Sequence, residues 1–219
     1  MKLLLIWHGQ CGNNVIEHQA DYAQARQPDP PLTALGRQQA QHLAQALSGV
    51  SHLYTSLMTR AVQTAAPLAQ ALGLPAHGLA EAYEYGGLTT GPAGGFTRVT
   101  GRDHASLQEE CETLVWPHDL TGRPWDGGAE AWGGFAARAG RVLDQLRAAH
   151  RDDGTLNTHH DFAGALIRAA LGWPGPGKGP RFRLAHLSTS LLEVPADRSP
   201  GTVHWLNRID HLPPELARS

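Results

Sequence analysis

The segment Lys2–Trp7, KLLLIW, runs from one lysine through unbroken apolar side chains and stops at His8 and Gly9. A strand without polar alternation has to be covered on both faces, as in a parallel sheet packed between helices. The rest of the chain repeats this strand-then-helix rhythm. Thr33 is placed to cap a helix over ALGRQQAQHLAQAL, whose Ala40, Leu43, Ala44 and Leu47 share one face. HLYTS is a second strand. The helix TRAVQTAAPLAQALG follows, with Ala61, Ala65, Leu68, Ala69 and Leu72 on one side, Gly73 at its end, and Pro67 as a place for a kink. After EAWGGFAARAGRVLDQLRAAH, a helix, come the strand GTLNT and the helix DFAGALIRAALG. STSLLEVP and TVHWLNR read as a closing hairpin.

Strands alternating with helices predict an α/β domain with a mostly parallel central sheet and helices on both faces. The chain of 219 residues suits a single domain, 1–219. Only 86–128 breaks the pattern, with many Gly, several Pro and a short helix expected near 107–114. Irregular insertions of that length are usually functional, so a lid or wall over a site is expected there.

Composition removes several function classes. With 41% apolar and 17% charged residues the chain is not disordered. A net charge of −2 argues against a nucleic-acid partner. Cys11 and Cys111, a distant pair, are no disulfide framework. No run approaches the ~18 apolar residues of a membrane span, and the start lacks a signal-peptide pattern. A cytoplasmic protein without a membrane partner is expected; oligomeric state is open.

In parallel sheets ligands bind beyond the carboxyl ends of the strands. His8, then Ser56 and Arg60, then His159 and His160 stand at three such ends. His159 precedes a helix, whose amino-terminal amides favour an anion. Two histidines and an arginine there suit a phosphoryl group. GWPGPGKG is not a phosphate loop: it follows a helix, ends in Gly, and its prolines remove amide donors. The His159–His160 pair has no further ligand at zinc spacing.

The order of the pieces resembles the histidine phosphatase superfamily, which includes the cofactor-dependent phosphoglycerate mutases. LLLIWHGQCGNN is similar to its Arg-His-Gly motif with a trailing Asn, and DPPLTALGRQQAQHLAQAL to its Pro-Leu-Thr-x-x-Gly helix. YTSLMTRAVQTA resembles Ser-x-x-x-Arg-Ala-x-Gln-Thr-Ala, EAYEYGGL the acidic segment, NTHHDF the Thr-His-Gly-Asp-Phe motif, and HWLNRIDHL the terminal Asn and His-Leu. The resemblance implies a phosphoglycerate mutase-like fold. It also implies a phosphomonoester hydrolase that acts on a small phosphorylated substrate without metal or cofactor. His8 matches the nucleophile, His159 the second histidine and Glu84 the general acid, preferred over Glu81 because Gly86 and Gly87 follow it. Arg60, Asn14 and Gly9 match the phosphate-binding side, and Trp7, Gln10 and His160 stand where substrate contacts are expected.

Two positions depart from the pattern. His160 replaces a glycine, and Trp7 replaces the motif arginine. Trp offers one N–H donor and no charge. It is either a packing residue or a surface for a substrate ring. Arg98, Arg102, Lys178, Arg181 and Arg183 are candidates to supply the missing cation. The substitution leaves a second reading, an impaired relative that binds a phosphorylated ligand or partner, and the resemblance itself leaves a third, a mutase-type phosphotransferase.

Overall fold

The computed structural model describes residues 1–91, 95–128, 130–149, 154–173 and 180–217. Five strands run parallel in the central sheet: β1 (Lys2–Trp7), β2 (His52–Ser56), β3 (Ala76–Leu79), β6 (Leu114–Val115) and β7 (Gly154–Thr158). β8 (Thr189–Glu193) and β9 (Thr202–Arg208) add an antiparallel edge, giving the order β6-β3-β2-β7-β1-β8-β9. This is the mostly parallel α/β sheet that the strand–helix rhythm predicts.

Alternation along β1 separates two cores. Leu3 and Leu5 enter one with α6 (Trp132–Ala149) and α7 (His160–Ala170), where Phe135, Leu143, Phe162 and Leu166 are buried. Ile6 enters the other with α3 (Ala34–Ala46) and α4 (Thr59–Leu72), beside Leu43, Val62 and Leu68. Each such side chain contributes roughly 1.5–3 kcal/mol when buried. The register matters for chemistry, because a one-residue slip would exchange His8 and Trp7 between the faces.

Local signals hold where their partners are close in sequence. The Thr33 hydroxyl accepts the Gly36 amide at 3.0 Å, and Gly73 ends α4 in the left-handed region at φ 63°. α4 passes through Pro67 as one helix. Other expectations fail. β3 is four residues containing Ala, His and Gly, too weak a pattern to read alone, and it forms because β2 and β6 flank it. The helix expected near 107–114 is α5 (His104–Gln108), and its expected end is strand β6. Two short helices, α1 (Gly12–Ile16) and α2 (Tyr22–Ala25), fold from what reads as loop. The insertion also carries the small hairpin of β4 (Thr89–Thr90) and β5 (Thr97–Arg98). Much of it is core, with Leu88, Leu107, Leu114 and Trp125 buried under α4.

Candidate active site

β1 and β7 run side by side in register, with Trp7 opposite Thr158. The next residues, His8 and His159, therefore emerge together, with ring centroids 5.1 Å apart. β2 delivers the chain to α4 on the same edge, where Arg60 lies in the first turn. A cavity of about 840 Å³ opens over these strand ends. His8, Arg60, Glu84, His160 and His186 all line it. A separate cleft of about 350 Å³ near the start of β1, walled by Leu4, Leu47 and Trp205, takes none of the expected site residues.

The hydrogen bonds assign the tautomer of His8, which is only 3% exposed. Nδ1 lies 2.7 Å from the Gly9 carbonyl and must donate its proton there. Nε2 accepts from Arg60 Nε–H at 3.0 Å and from Trp7 Nε1–H at 3.2 Å, so it carries the lone pair. Burial first, then the Arg60 guanidinium and the neighbouring His186, hold His8 well below the usual imidazole range against the opposing Gly9 bond. A neutral imidazole with its lone pair beside a cavity has the form that nucleophilic attack requires.

Arg60 is 7% exposed and is held from behind. Asp29 accepts from the Thr59 amide at 2.9 Å and hydroxyl at 2.6 Å, and its Oδ1 stands 4.0 Å from Arg60 Nη1. His159 is fully buried and sits behind His8, off the cavity wall. Its Nε2 is 2.8 Å from the Ser56 hydroxyl, while Nδ1 has no partner among the described residues. Burial, then Arg60 and His8, keep this ring neutral too.

Glu84 reaches the site by crossing to α7. Its carboxylate accepts from the backbone amides of Tyr85 at 2.8 Å and of Asp161 and Phe162 at 3.1 Å each. Those last two amides open α7, where a carboxylate is favoured. Desolvation, then the Asp161 carboxylate, nonetheless raises its pKa above the ordinary glutamate value. Glu81 faces the other way, in an exposed pair with Arg141.

The loop that aims Glu84 is fixed by a residue that sequence reasoning missed. Arg138 of α6 is buried and donates to the Glu81 carbonyl at 2.5 Å and the Tyr83 carbonyl at 2.8 Å. Its guanidinium lies 3.5 Å over the Tyr83 ring and pairs with Glu130. Thr158 Oγ1 adds a bond to the Ala82 carbonyl at 2.8 Å. Arg138 sits on the apolar stripe of a helix, where a charge among alanines is the only available signal.

Trp7 is enclosed by two imidazoles. His186 is tilted against its face at 3.9 Å between centroids, and His160 meets it edgewise at 5.1 Å. Burial lowers the His186 pKa to about 4, despite its bond to the His8 carbonyl. His186 precedes a strand and resembles any other histidine in a chain of thirteen, so nothing in the sequence marks it. His160 contacts Asp161 at 3.1 Å, which raises its pKa against burial.

Three expectations change. Gly9 does not offer its amide to a ligand: it donates to Thr64 Oγ1 at 3.1 Å. Glycine is needed because a Cβ would lie 2.5 Å from the Gly36 carbonyl of α3. Of 86–128, where a lid or wall over the site is expected, no described residue lines the cavity. That wall comes from α1, α2 and their loops, through Asn13, Asn14, Glu17 and Tyr22, because this excursion leaves β1 directly beside His8. Among the candidate cations, Arg98 pairs with Asp126 and Arg102 with Glu110, and Arg181 is off the cavity. Lys178 and most of GWPGPGKG lie outside the described residues. Arg183 lines the cavity.

Asn14 and Gln10 line the cavity, though each is partly engaged. Asn14 Oδ1 accepts from the Cys11 amide at 3.1 Å, and Gln10 Oε1 from the Thr33 hydroxyl at 2.9 Å. Among the described residues, no three His, Cys, Asp or Glu side chains stand at metal-holding geometry, and no helix is long and apolar enough to cross a membrane.

The family model "Histidine phosphatase superfamily (branch 1)" matches residues 3–208. No curated protein matches the chain. Among solved structures, a phosphoserine phosphatase from Entamoeba histolytica in complex with 3-phosphoglyceric acid superposes with a TM-score of 0.64 at 20% identity, covering 96% of this chain and 98% of that one. A mycobacterial glucosyl-3-phosphoglycerate phosphatase complexed with VO3 gives 0.64 at 23%, covering 95% and 99%. The alpha-ribazole phosphatase of Shigella flexneri gives 0.62 at 25%, covering 95% and 96%.

Proposed function

Because the chain belongs to the histidine phosphatase superfamily, we propose that it hydrolyses a small phosphomonoester through a phosphohistidine at His8. The observation that carries the reading is the fixed tautomer: Nδ1–H spent on the Gly9 carbonyl, and the Nε2 lone pair met by the N–H donors of Arg60 and Trp7, both of which line the cavity. In the first step Nε2 forms a bond to phosphorus as the phosphorus–ester oxygen bond breaks. The leaving oxygen takes the electron pair of that bond and a proton from Glu84, whose raised pKa suits an acid. In the second step water attacks phosphorus, Glu84 recovers a proton from it, and the N–P electron pair returns to Nε2. Arg60 neutralises phosphoryl oxygens throughout. Its anchor at Asp29 and the buried His159 behind His8 hold the nucleophile in place.

The solved neighbours include proteins named phosphoserine phosphatase, glucosyl-3-phosphoglycerate phosphatase and alpha-ribazole phosphatase, which supports a small phosphomonoester as substrate. Arg183 on the cavity wall supplies a cation away from the nucleophile, suited to a further anionic group of the substrate. The test is turnover of p-nitrophenyl phosphate together with trapping of an acid-labile, alkali-stable phosphoenzyme. Both are expected from the native chain and neither from His8→Ala. Turnover that survives His8→Ala removes His8 as nucleophile. Orthophosphate binding without turnover by the native chain makes the protein a phosphate-ligand binder instead.

A further inference from the structure

We infer that the indole N–H of Trp7 is a hydrogen-bond donor to the transferred phosphoryl group, an uncharged partner to the guanidinium of Arg60. The inference rests on the reading of His8 as the nucleophile.

Two donors converge on one lone pair. Trp7 Nε1–H and Arg60 Nε–H lie 3.2 and 3.0 Å from His8 Nε2, the atom that has to meet phosphorus. Once Nε2 is bonded to phosphorus its lone pair is gone, and both N–H groups lose their acceptor. Phosphoryl oxygens then stand around the same point. A donor without an acceptor is costly in so enclosed a place, and both N–H groups find one in those oxygens without moving. The two donors thus hold the resting nucleophile and the phosphorylated one by the same short reach.

The indole is built to stay there. His186 covers one face at 3.9 Å, the His160 ring meets it at 5.1 Å, and Trp7 packs against the apolar core that holds Phe162 and Leu166. His186 is itself tied to the His8 carbonyl by Nδ1 at 3.3 Å. A donor locked before the reaction stabilises developing charge without reorganisation. Simple packing explains the ring contacts but leaves unexplained why the one polar atom of the indole points at the reacting nitrogen. Stacking on a substrate ring is disfavoured as well, since His186 already occupies a face.

The experiment uses the full chain labelled with 15N at tryptophan indoles. The Trp7 signal is identified as the one missing from Trp7→Phe. Orthovanadate, a mimic of the phosphoryl group in transfer, is then titrated into the native chain. The Trp7 N–H signal is expected to shift in step with vanadate binding. Trp7→Phe, which keeps a stacked ring, is expected to lose roughly 10²-fold in kcat/KM and to weaken vanadate inhibition in proportion. A Trp7 signal that stays still while vanadate saturates the protein overturns the inference, whatever the variant does. So does a Trp7→Phe protein with native kcat/KM and native vanadate affinity. Turnover that survives His8→Ala strikes the nucleophile assignment instead, and a native chain that binds no vanadate removes both.

Discussion

Arg60 Nε–H donates to Nε2 of His8 across 3.0 Å, joining the first turn of α4 to the end of β1, fifty-two positions earlier in the chain. The same guanidinium faces Asp29, which is fastened to Thr59 by two hydrogen bonds. The cation beside His8 is therefore anchored through its own helix start. Arg60→Ala is expected to lower kcat/KM by roughly 10²–10³, the cost of one donor aimed at transition-state charge. Asp29→Asn keeps both Thr59 contacts in shape but removes the charge behind Arg60, so a smaller loss is expected. Steady-state kinetics of the two variants check the order; equal losses would show that Asp29 does more than hold Arg60.

Glu84 gives a prediction that depends on the substrate. An acid matters most when the leaving oxygen is a poor one. Glu84→Gln is expected to cost far more with an alkyl phosphate than with p-nitrophenyl phosphate, whose phenolate leaves unaided. The native chain is expected to lose activity toward the alkyl ester as pH rises through the raised pKa of Glu84. Rate profiles for both esters read this directly. A variant equally impaired on both esters would remove Glu84 as the acid.

Arg138 positions Glu84 without touching the cavity. Arg138→Met keeps the stem but frees the Glu81 and Tyr83 carbonyls and leaves Glu130 without this partner. Breaking a buried pair in this way costs about 3–5 kcal/mol, and partial exposure of Glu130 places the expected loss near the lower end. The surviving folded enzyme is expected to show the leaving-group dependence of Glu84→Gln. Urea unfolding and the same pair of esters separate the two effects.

Three buried histidines make the fold sensitive to acid. His8 and His159 are held well below the imidazole value, and His186 falls from 6.5 to about 4. As pH drops below 6.5 the unfolded chain takes up these protons while the native state refuses them, so stability falls with pH. For His186 alone the loss between pH 6.5 and 4 is on the order of 3 kcal/mol. Asp29 and Glu84, with raised values, act in the opposite sense near the bottom of that window. The urea midpoint of the native chain is expected to fall from pH 7 to pH 5. It should fall less in His186→Asn, which has no proton to refuse.

The sequence by itself determined the strands and helices whose evidence is local. KLLLIW is apolar after its first residue, Thr33 and Gly73 mark helix ends, and α3, α4 and α6 carry an apolar stripe each. Once those elements stand in a parallel sheet, His8, Arg60 and the 159–160 pair have to share the carboxyl edge. Motif order could therefore place them. Only the tertiary structure decided what surrounds them. His186 and Arg138 act through neighbours that are distant in sequence, so no spacing announces them. Gly9 needs its bare Cα because Gly36 of α3 lies against it, and Trp7 became a donor because two imidazoles fix its ring beside Nε2. Short-range patterns encode backbone conformation and burial. The direction of a particular N–H is set by packing between segments that meet only when the chain has folded.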